Sequence, residues 1–378
     1  MKRAINKLYR DERGVVVVMI GALLALLLVF AVYAIDASQM MLVRTQLQNA
    51  ADAGALAGAV KGALTGDSAQ AQGEAILAAG ANRALRDSGG GNVMDPVVIT
   101  DADVTFPQAR RIEVTTHRTE ATGDPFMNYV LRIFSQGATA GQMTARAAAD
   151  YLWVCGGKCL EPWAPPDRWA DANGNGKYDA GEYYDPVATG YTDADLGTEI
   201  TFILGNGDSA GFGEFDYYSV DFPPVNKGNP ISGAKRYEDW MCLPCLDNSF
   251  VVEPGDYLRV EPGKQKGPNA KGLKCIMDSD PGAQWDAASG TVINSAYPKS
   301  PRIVKCALFD PSIGLQSYGG GKEVTIRKIM VVFIESVQTS GKNNGQIVGR
   351  FMRLNEPDGA VCANQADPSF LFKTRLTE

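Results

Sequence analysis

Twelve consecutive residues carry the strongest chemical signal in the sequence. Asp171-Ala172-Asn173-Gly174-Asn175-Gly176-Lys177-Tyr178-Asp179-Ala180-Gly181-Glu182 sets oxygen-bearing side chains at positions 1, 3, 5, 9 and 12 of the run. Calcium takes six to eight oxygen ligands in a flexible shell, and this spacing wraps them around one point. Asp171, Asn173, Asn175 and Asp179 supply side-chain oxygens, Lys177 its backbone carbonyl, and Glu182 a bidentate carboxylate. Gly176 permits the sharp turn. The residues therefore predict a calcium loop, with a Gly/Asn-rich turn lacking metal as the alternative. Only three of the ligands are carboxylates. That favours binding of about 10⁻⁴–10⁻³ M and a structural role over a signalling one.

Pro165-Pro166 before the loop and Tyr183-Tyr184-Asp185-Pro186 after it do not read as flanking helices. An isolated, dockerin-like loop is the closer analogy.

Seven cysteines offer the second chemistry: Cys155, Cys159, Cys242, Cys245, Cys275, Cys306 and Cys362. In an exported, loop-rich domain disulfides are the default. Spacing favours Cys155 with Cys159, Cys242 with Cys245 and Cys275 with Cys306, which leaves Cys362 free or intermolecular. Two other readings stay open: a four-cysteine zinc site from Cys155, Cys159, Cys242 and Cys245, and a redox motif at Cys242-Leu243-Pro244-Cys245. A single histidine, His117, excludes sites built on two imidazoles, and it reads as a surface residue of a strand. No acid/base pair or nucleophile motif stands out, so no enzymatic activity is expected.

The elements that must position these groups are set by charge. The net charge is −7 and the pI near 5, which rules out a basic nucleic-acid coat. Lys2, Arg3, Lys7, Arg10 and Arg13 nevertheless crowd the first 13 residues. From Gly14 to Ile35 run 22 residues without a charge (GVVVVMIGALLALLLVFAVYAI). As a helix they span about 33 Å, enough to cross the ~30 Å hydrocarbon core of a bilayer. With the cations preceding the span and Asp36 following it, the positive-inside rule keeps the tip in the cytoplasm and exports the rest. A cleaved signal peptide is the rival reading, but its apolar core would run only ~7–15 residues.

Beyond Asp36 the alanine-rich, proline-free sequence predicts that the helix continues to about Gly66. A second amphipathic helix is expected over Asp67–Asp87, ending at Ser88-Gly89-Gly90-Gly91. Ala50, Gly54, Gly58, Gly62 and Gly66 recur every four residues. Such a face packs either on a partner helix or on the protein's own sheet.

The stretch from Arg10 to Ala59 resembles the N-terminal region of TadE/TadG-like proteins of the tight-adherence (Flp) pilus assembly system. The residues that carry the resemblance are Glu12-Arg13-Gly14, Ile35-Asp36, Leu47-Gln48-Asn49-Ala50-Ala51-Asp52-Ala53 and Ala55-Leu56-Ala57-Gly58-Ala59. It implies a membrane-anchored protein whose partners are helices of other pilus or secretion subunits. It further implies paired strands, a short helix and an Ala-rich strand at Arg111–Arg118, Pro125–Ser135 and Gln142–Tyr151. The fifth residue after Gly14 is Met19, where prepilin-peptidase substrates usually carry glutamate. The Asp-x-Ser-x-Ser metal motif of larger TadG-like proteins does not occur.

Alternation predicts strands at Val97–Ile99, Val104–Phe106 and Arg111–Thr116, and Phe126–Phe134 fits a short amphipathic helix. After Trp153 further strands are expected at Glu199–Leu204, Phe250–Glu253, Tyr257–Glu261, Arg302–Phe309, Glu323–Val337 and Gln346–Leu354. They suggest a β-sandwich or similar all-β domain.

The expected class is α+β: a single transmembrane helix extended into a pilin-like helix-plus-antiparallel-sheet domain, then a mainly β, disulfide-containing domain with the calcium loop. The divisions are a basic tip at 1–13, the span at 14–35, the pilin-like part at 36–152 and the β domain at 153–378. The location is the bacterial inner membrane, single-pass, with the bulk periplasmic or extracellular. The function is a structural subunit or assembly factor of a Tad/Flp-type pilus or related secretion apparatus. The alternative is a tethered adhesin or carbohydrate-binding module, with Trp163, Trp169, Tyr183, Tyr184, Tyr217 and Tyr218 as its surface for glycans.

Overall fold

A computed structural model describes residues 12–89, 91–122, 125–127, 140–209, 211–243, 245–246, 250–365 and 369–377. The chain divides into two compact units, Met1–Asp150 with Arg375–Glu378, and Tyr151–Thr374.

In the first unit, helix α1 (Glu12–Thr65) runs unbroken for 54 residues. No proline interrupts it, and it stops where Gly66 takes a left-handed φ of +68° that a side chain would resist. Helix α2 (Ser68–Gly80) starts on Asp67, whose carboxylate accepts from Ala69 N at 2.8 Å. It ends sooner than the expected Asp87. The amide of Asn82 donates to the Ala78 carbonyl, and Arg83–Asp87 becomes strand β1, paired antiparallel with β2 (Asn92–Pro96). Pairing decides this over local helix propensity: Ala84 is fully buried, and Leu85 N donates to Gln46 Oε1 on α1. Val97–Ile99, expected as a strand, is irregular chain just after β2.

Strands β3 (Val104–Gln108) and β4 (Arg111–Arg118) form a hairpin, as their alternation predicts. Ile112, Val114, Thr116 and Arg118 turn to one face and are buried. Phe126–Met127 is a strand, β5, rather than the start of a helix, and pairs with β6 (Ala140–Gly141). The remainder of the helix expected there, 128–134, lies outside the described residues. Strand β7 (Met143–Gly156) pairs with β4 from Met143↔Arg118 to Asp150↔Arg111.

The second unit is mainly β. One sheet joins β8 (Trp163–Ala164), β9 (Glu199–Leu204), β10 (Asp216–Asp221), β11 (Tyr257–Val260), β14 (Ile303–Phe309), β15 (Gln316–Tyr318), β16 (Gly321–Gln338) and β17 (Gln346–Phe351). The long β16 is its spine and pairs with β11, β14, β15 and β17 along its 18 residues. Its run Ile329–Ile334 is buried throughout, which is why the sequence there is continuously apolar. Strands β12 (Gln284–Asp286) and β13 (Thr291–Ile293) make a separate hairpin. Of the later strands, β18 (Leu354–Asn355) lies parallel to β20 (Leu371–Thr377), and β19 (Ala360–Val361) pairs with the end of β7.

Three expectations change here. Phe250–Glu253 is not a strand; Val252 makes a single bridge to Gly157. The domain expected to be all-β also holds two helices, α3 (Ala234–Cys242) and α4 (Lys266–Ser279). The second of these contains Gly267, Pro268 and Gly272. Pro268 falls in the first turn, where a helix tolerates it, and Gly272 lets α3 close in. A Cβ there would meet Met241 at 2.6 Å.

Finally, the bridges are Cys155–Cys362, Cys159–Cys245 and Cys242–Cys275, with Cys306 the buried free thiol. None of the expected pairs forms. Packing of α3 on α4 brings Cys242 to Cys275, and β7 beside β19 brings Cys155 to Cys362. The four-cysteine zinc site and the Cys242/Cys245 redox pair are thereby replaced, since each sulfur is bonded elsewhere. Cys306 sits mid-strand opposite Met330, where no second thiol reaches it.

Candidate functional site

Helix α1 has two different surfaces. From Val16 to Ile35 its large apolar side chains are exposed, except for the half-buried Val32. It is the one helix among the described residues long and apolar enough to cross a membrane. Past that stretch one face is buried: Val43, Leu47, Ala50, Ala51, Ala55, Ala59 and Ala63 are covered completely. Their partners are Ala71, Ala75 and Ala79 of α2 and the inner face of β4.

The glycines explain how close this contact is. A Cβ on Gly54 would lie 2.9 Å from the Ala75 carbonyl oxygen and 2.9 Å from Ala79 Cβ. On Gly58 it would meet Ala75, Ala71 and Ile112 at 3.0–3.2 Å. The four-residue rhythm of small residues therefore serves the protein's own α2 and sheet. At Gly54 and Gly58 it is not open for a partner helix, whereas nothing lies within 4 Å of a Cβ on Gly66.

The loop Asp171–Glu182 closes on itself through its own side chains. Asp171 accepts from Gly174 N and Gly176 N at 2.8 and 2.7 Å. Asn173 Oδ1 accepts from Asn175 N, and Asn175 Oδ1 from Lys177 N. Glu182 reaches back across the loop to accept from Ala172 N and Asp179 N, both at 3.0 Å. Gly176 adopts a φ of +69° at the turn expected of it, and Gly174 takes a similar φ of +71°. Outside the loop, Ala170 N donates to Tyr183 O, and Trp169, Tyr178 and Phe212 pack as a ring cluster with centroids 5.6–6.2 Å apart.

Asp171, Asn173, Asn175, Asp179 and Glu182 are thus brought around one turn, with exposed Lys177 following Gly176. The amides of Asn173 and Asn175 both donate to Asp179 Oδ2, at 2.8 and 2.6 Å. They lower the Asp179 pKa, and the Gly176 N–H leads several donors that lower that of Asp171. Among the described residues no three His, Cys, Asp or Glu groups gather as they would around a metal. The oxygens available on this turn are the carboxylates of Asp171, Asp179 and Glu182 and the Oδ1 atoms of Asn173 and Asn175, the chemistry calcium takes.

The aromatic residues offered for a glycan surface are mostly core. Trp163, Trp169, Tyr217 and Tyr218 are 0–5% exposed, Tyr184 is half-buried, and only Tyr183 stands clear at 59%. Tyr217, Asn269 and Tyr237 instead form a buried chain of hydroxyl and amide bonds of 2.7 Å between β10, α4 and α3. His117 lies on the β4 face away from the helices, with Nδ1 3.5 Å from Asp103.

Two pairs of buried ionisable groups were not legible in the sequence. Lys328 Nζ lies 3.0 Å from Asp167 Oδ2, which also accepts from the Tyr184 hydroxyl. Asp221, at the end of β10, is buried beside Glu261 just past β11; Glu261 accepts from Gly233 N. Burial, then the hydrogen bond and charge of Glu261, push the Asp221 carboxyl up to about 8. The bond of Asp167 N to Phe309 O on β14 sets Asp167 beside Lys328 of β16, and the pairing of β10 with β11 brings Asp221 to Glu261; neither leaves a local motif.

Residues 14–61 match the sequence model of the Flp pilus-assembly TadE/G-like family. No curated protein and no solved structure matches the chain.

Proposed function

We propose that this chain is a membrane-anchored structural subunit or assembly factor of a Flp-type pilus or related secretion apparatus. One observation carries the reading. The segment that matches the family, 14–61, is the segment whose first part is a naked apolar rod and whose second part is clamped into a folded unit. A helix of that kind holds a body at a membrane and leaves its lipid-level surface free for other helices. Lys2, Arg3, Lys7, Arg10 and Arg13 ahead of the rod orient the body to the outer side of the inner membrane.

Affinity capture of the full chain from mildly solubilised membranes is expected to recover pilin or secretion components. Recovery should fall when Leu24 and Leu28, exposed in the rod, are both changed to alanine. Capture of the chain alone at every detergent strength argues against the assembly role. A thiol reagent that cannot cross membranes should label an added C-terminal cysteine from outside the inner membrane, and one at position 5 only from inside.

Calcium is the proposed cofactor, held by Asp171, Asn173, Asn175, the Lys177 carbonyl, Asp179 and Glu182. Bound there it would tie together a loop that has little core of its own. Calcium at millimolar concentration is expected to raise the melting temperature of the full chain. Asp171→Ala with Glu182→Ala should abolish that rise, and it should also lower the melting temperature in EDTA by the smaller amount that the bonds of the two carboxylates to Gly174, Gly176, Ala172 and Asp179 N contribute. An equal drop with and without calcium would refute the site.

A further inference from the structure

The hairpin β1–β2 reaches the level at which the apolar rod ends. Asn92 Nδ2 donates to Gln39 Oε1 at 2.7 Å, while Leu85 N and Met94 Sδ lie within 3.0 and 3.3 Å of the Gln46 side chain. Moving from Met94 to Asn92 thus moves toward the N-terminal end of α1. The turn beyond Asn92, with exposed Ser88 and Gly89, points the same way. At 1.5 Å per residue Gln39 stands about 6 Å past Ile35 along the helix. The headgroup layer outside the hydrocarbon core is about 5–7 Å thick on each side.

Other groups at this level suit the same layer. Met40, Met41 and Leu42 are exposed at 40%, 71% and 47%, which extends the apolar surface past Ile35. Asp36, the one charge among them, is turned inward and only 6% exposed. Arg44 is exposed about 13 Å past Ile35, and side chains on a helix lean toward its N-terminus, here toward the bilayer. The headgroup layer ends about 6–8 Å short of that level, a gap that a long cationic side chain with an apolar stem can bridge. The turn itself is polar and small: the Ser88 hydroxyl donates to Gly91 O at 2.8 Å, and Gly89 N donates to Asp87.

We infer that the first unit is seated on the membrane, with the β1–β2 turn lying in the phospholipid headgroup layer beside α1 and Arg44 reaching a lipid phosphate. This rests on the reading of residues 14–35 as a bilayer span. It adds a second point of support, so that the helix cannot swing freely about its exit from the lipid.

Nitroxide depth measurements on the full chain in vesicles of phosphatidylethanolamine and phosphatidylglycerol test it. Labels go on Ser88→Cys and Met41→Cys. Leu24→Cys marks mid-span, and Leu77→Cys, exposed on α2, marks water. Cys306 is fully buried and takes up no label. Labels at Ser88 and Met41 are expected to collide with a soluble nickel chelate several-fold less often than at Leu77, and more often than at Leu24. A Ser88 label as nickel-accessible as Leu77, with Leu24 still protected, overturns the seated hairpin and leaves the span intact. Nickel access at Leu24 as well would overturn the span itself.

Discussion

Gly54→Leu should separate helix α1 from α2 and lower the stability of the first unit by at least about 3 kcal/mol, at the upper end of overpacking costs. The reason is geometric. Even the first carbon of a side chain would sit 2.9 Å from both a carbonyl oxygen and the Ala79 methyl, and neither belongs to a flexible group. Gly54→Ala should already destabilise, although alanine favours a helix by about 1 kcal/mol over glycine. Gly21→Leu is the control: nothing lies within 4 Å of a Cβ there, so the melting temperature should stay put. Thermal melts with limited proteolysis at the α1–α2 turn read the difference. Equal tolerance at positions 54 and 21 would show that the two helices do not pack as described.

Asp221→Asn should raise stability at pH 8 and flatten its dependence on pH. The folded carboxyl titrates at about 8, whereas an unfolded aspartate titrates near 3.8. The folded state therefore holds a proton that the unfolded state has lost. Its contribution is complete below about pH 4 and drains away as pH rises through about 8. At about 1.4 kcal/mol per pH unit the total is several kcal/mol. Asparagine keeps the shape and supplies a neutral donor to Glu261 at every pH. Denaturant titrations at pH 5 and pH 8 should show a smaller gap for the variant than for the parent chain. An unchanged gap would mean that Asp221 and Glu261 do not share a proton. Removing Glu261 instead (Glu261→Gln) should also lower the Asp221 pKa, but it weakens the acceptor for Gly233 N.

Features that depend on neighbours in sequence were readable. The unbroken run from Gly14 to Ile35, the helix continuing to Thr65, the alternation of Arg111–Arg118 and the apolar spine of β16 all appear where periodicity put them. The positive φ of Gly176 follows the turn chemistry of the twelve-residue loop. Each of these is fixed by a local rule: hydropathy, a period of 2 or 3.6, or a backbone conformation only glycine adopts cheaply.

What was missed depends on residues far apart in the chain. Arg83–Asp87 has helical propensity but pairs with Asn92–Pro96 because α1 covers Ala84 and bonds Leu85. Lys266–Ser279 is a helix whose Gly272 lies against Met241 of α3, a contact between distant segments. The cysteines ignore their short spacings and bond across separations of 33, 86 and 207 residues. The aromatic residues that resembled a binding face pack inward because the sheet needs large rings to fill its interior.

By itself, then, the sequence determined a greasy rod with a cationic end, its helical continuation, and the order of most strands, because each is written in adjacent residues. Only tertiary packing decided which face of the rod is clamped, which thiols meet, and which acids are buried together. Those outcomes turn on distances between segments, and no local pattern encodes a distance that the fold has yet to close.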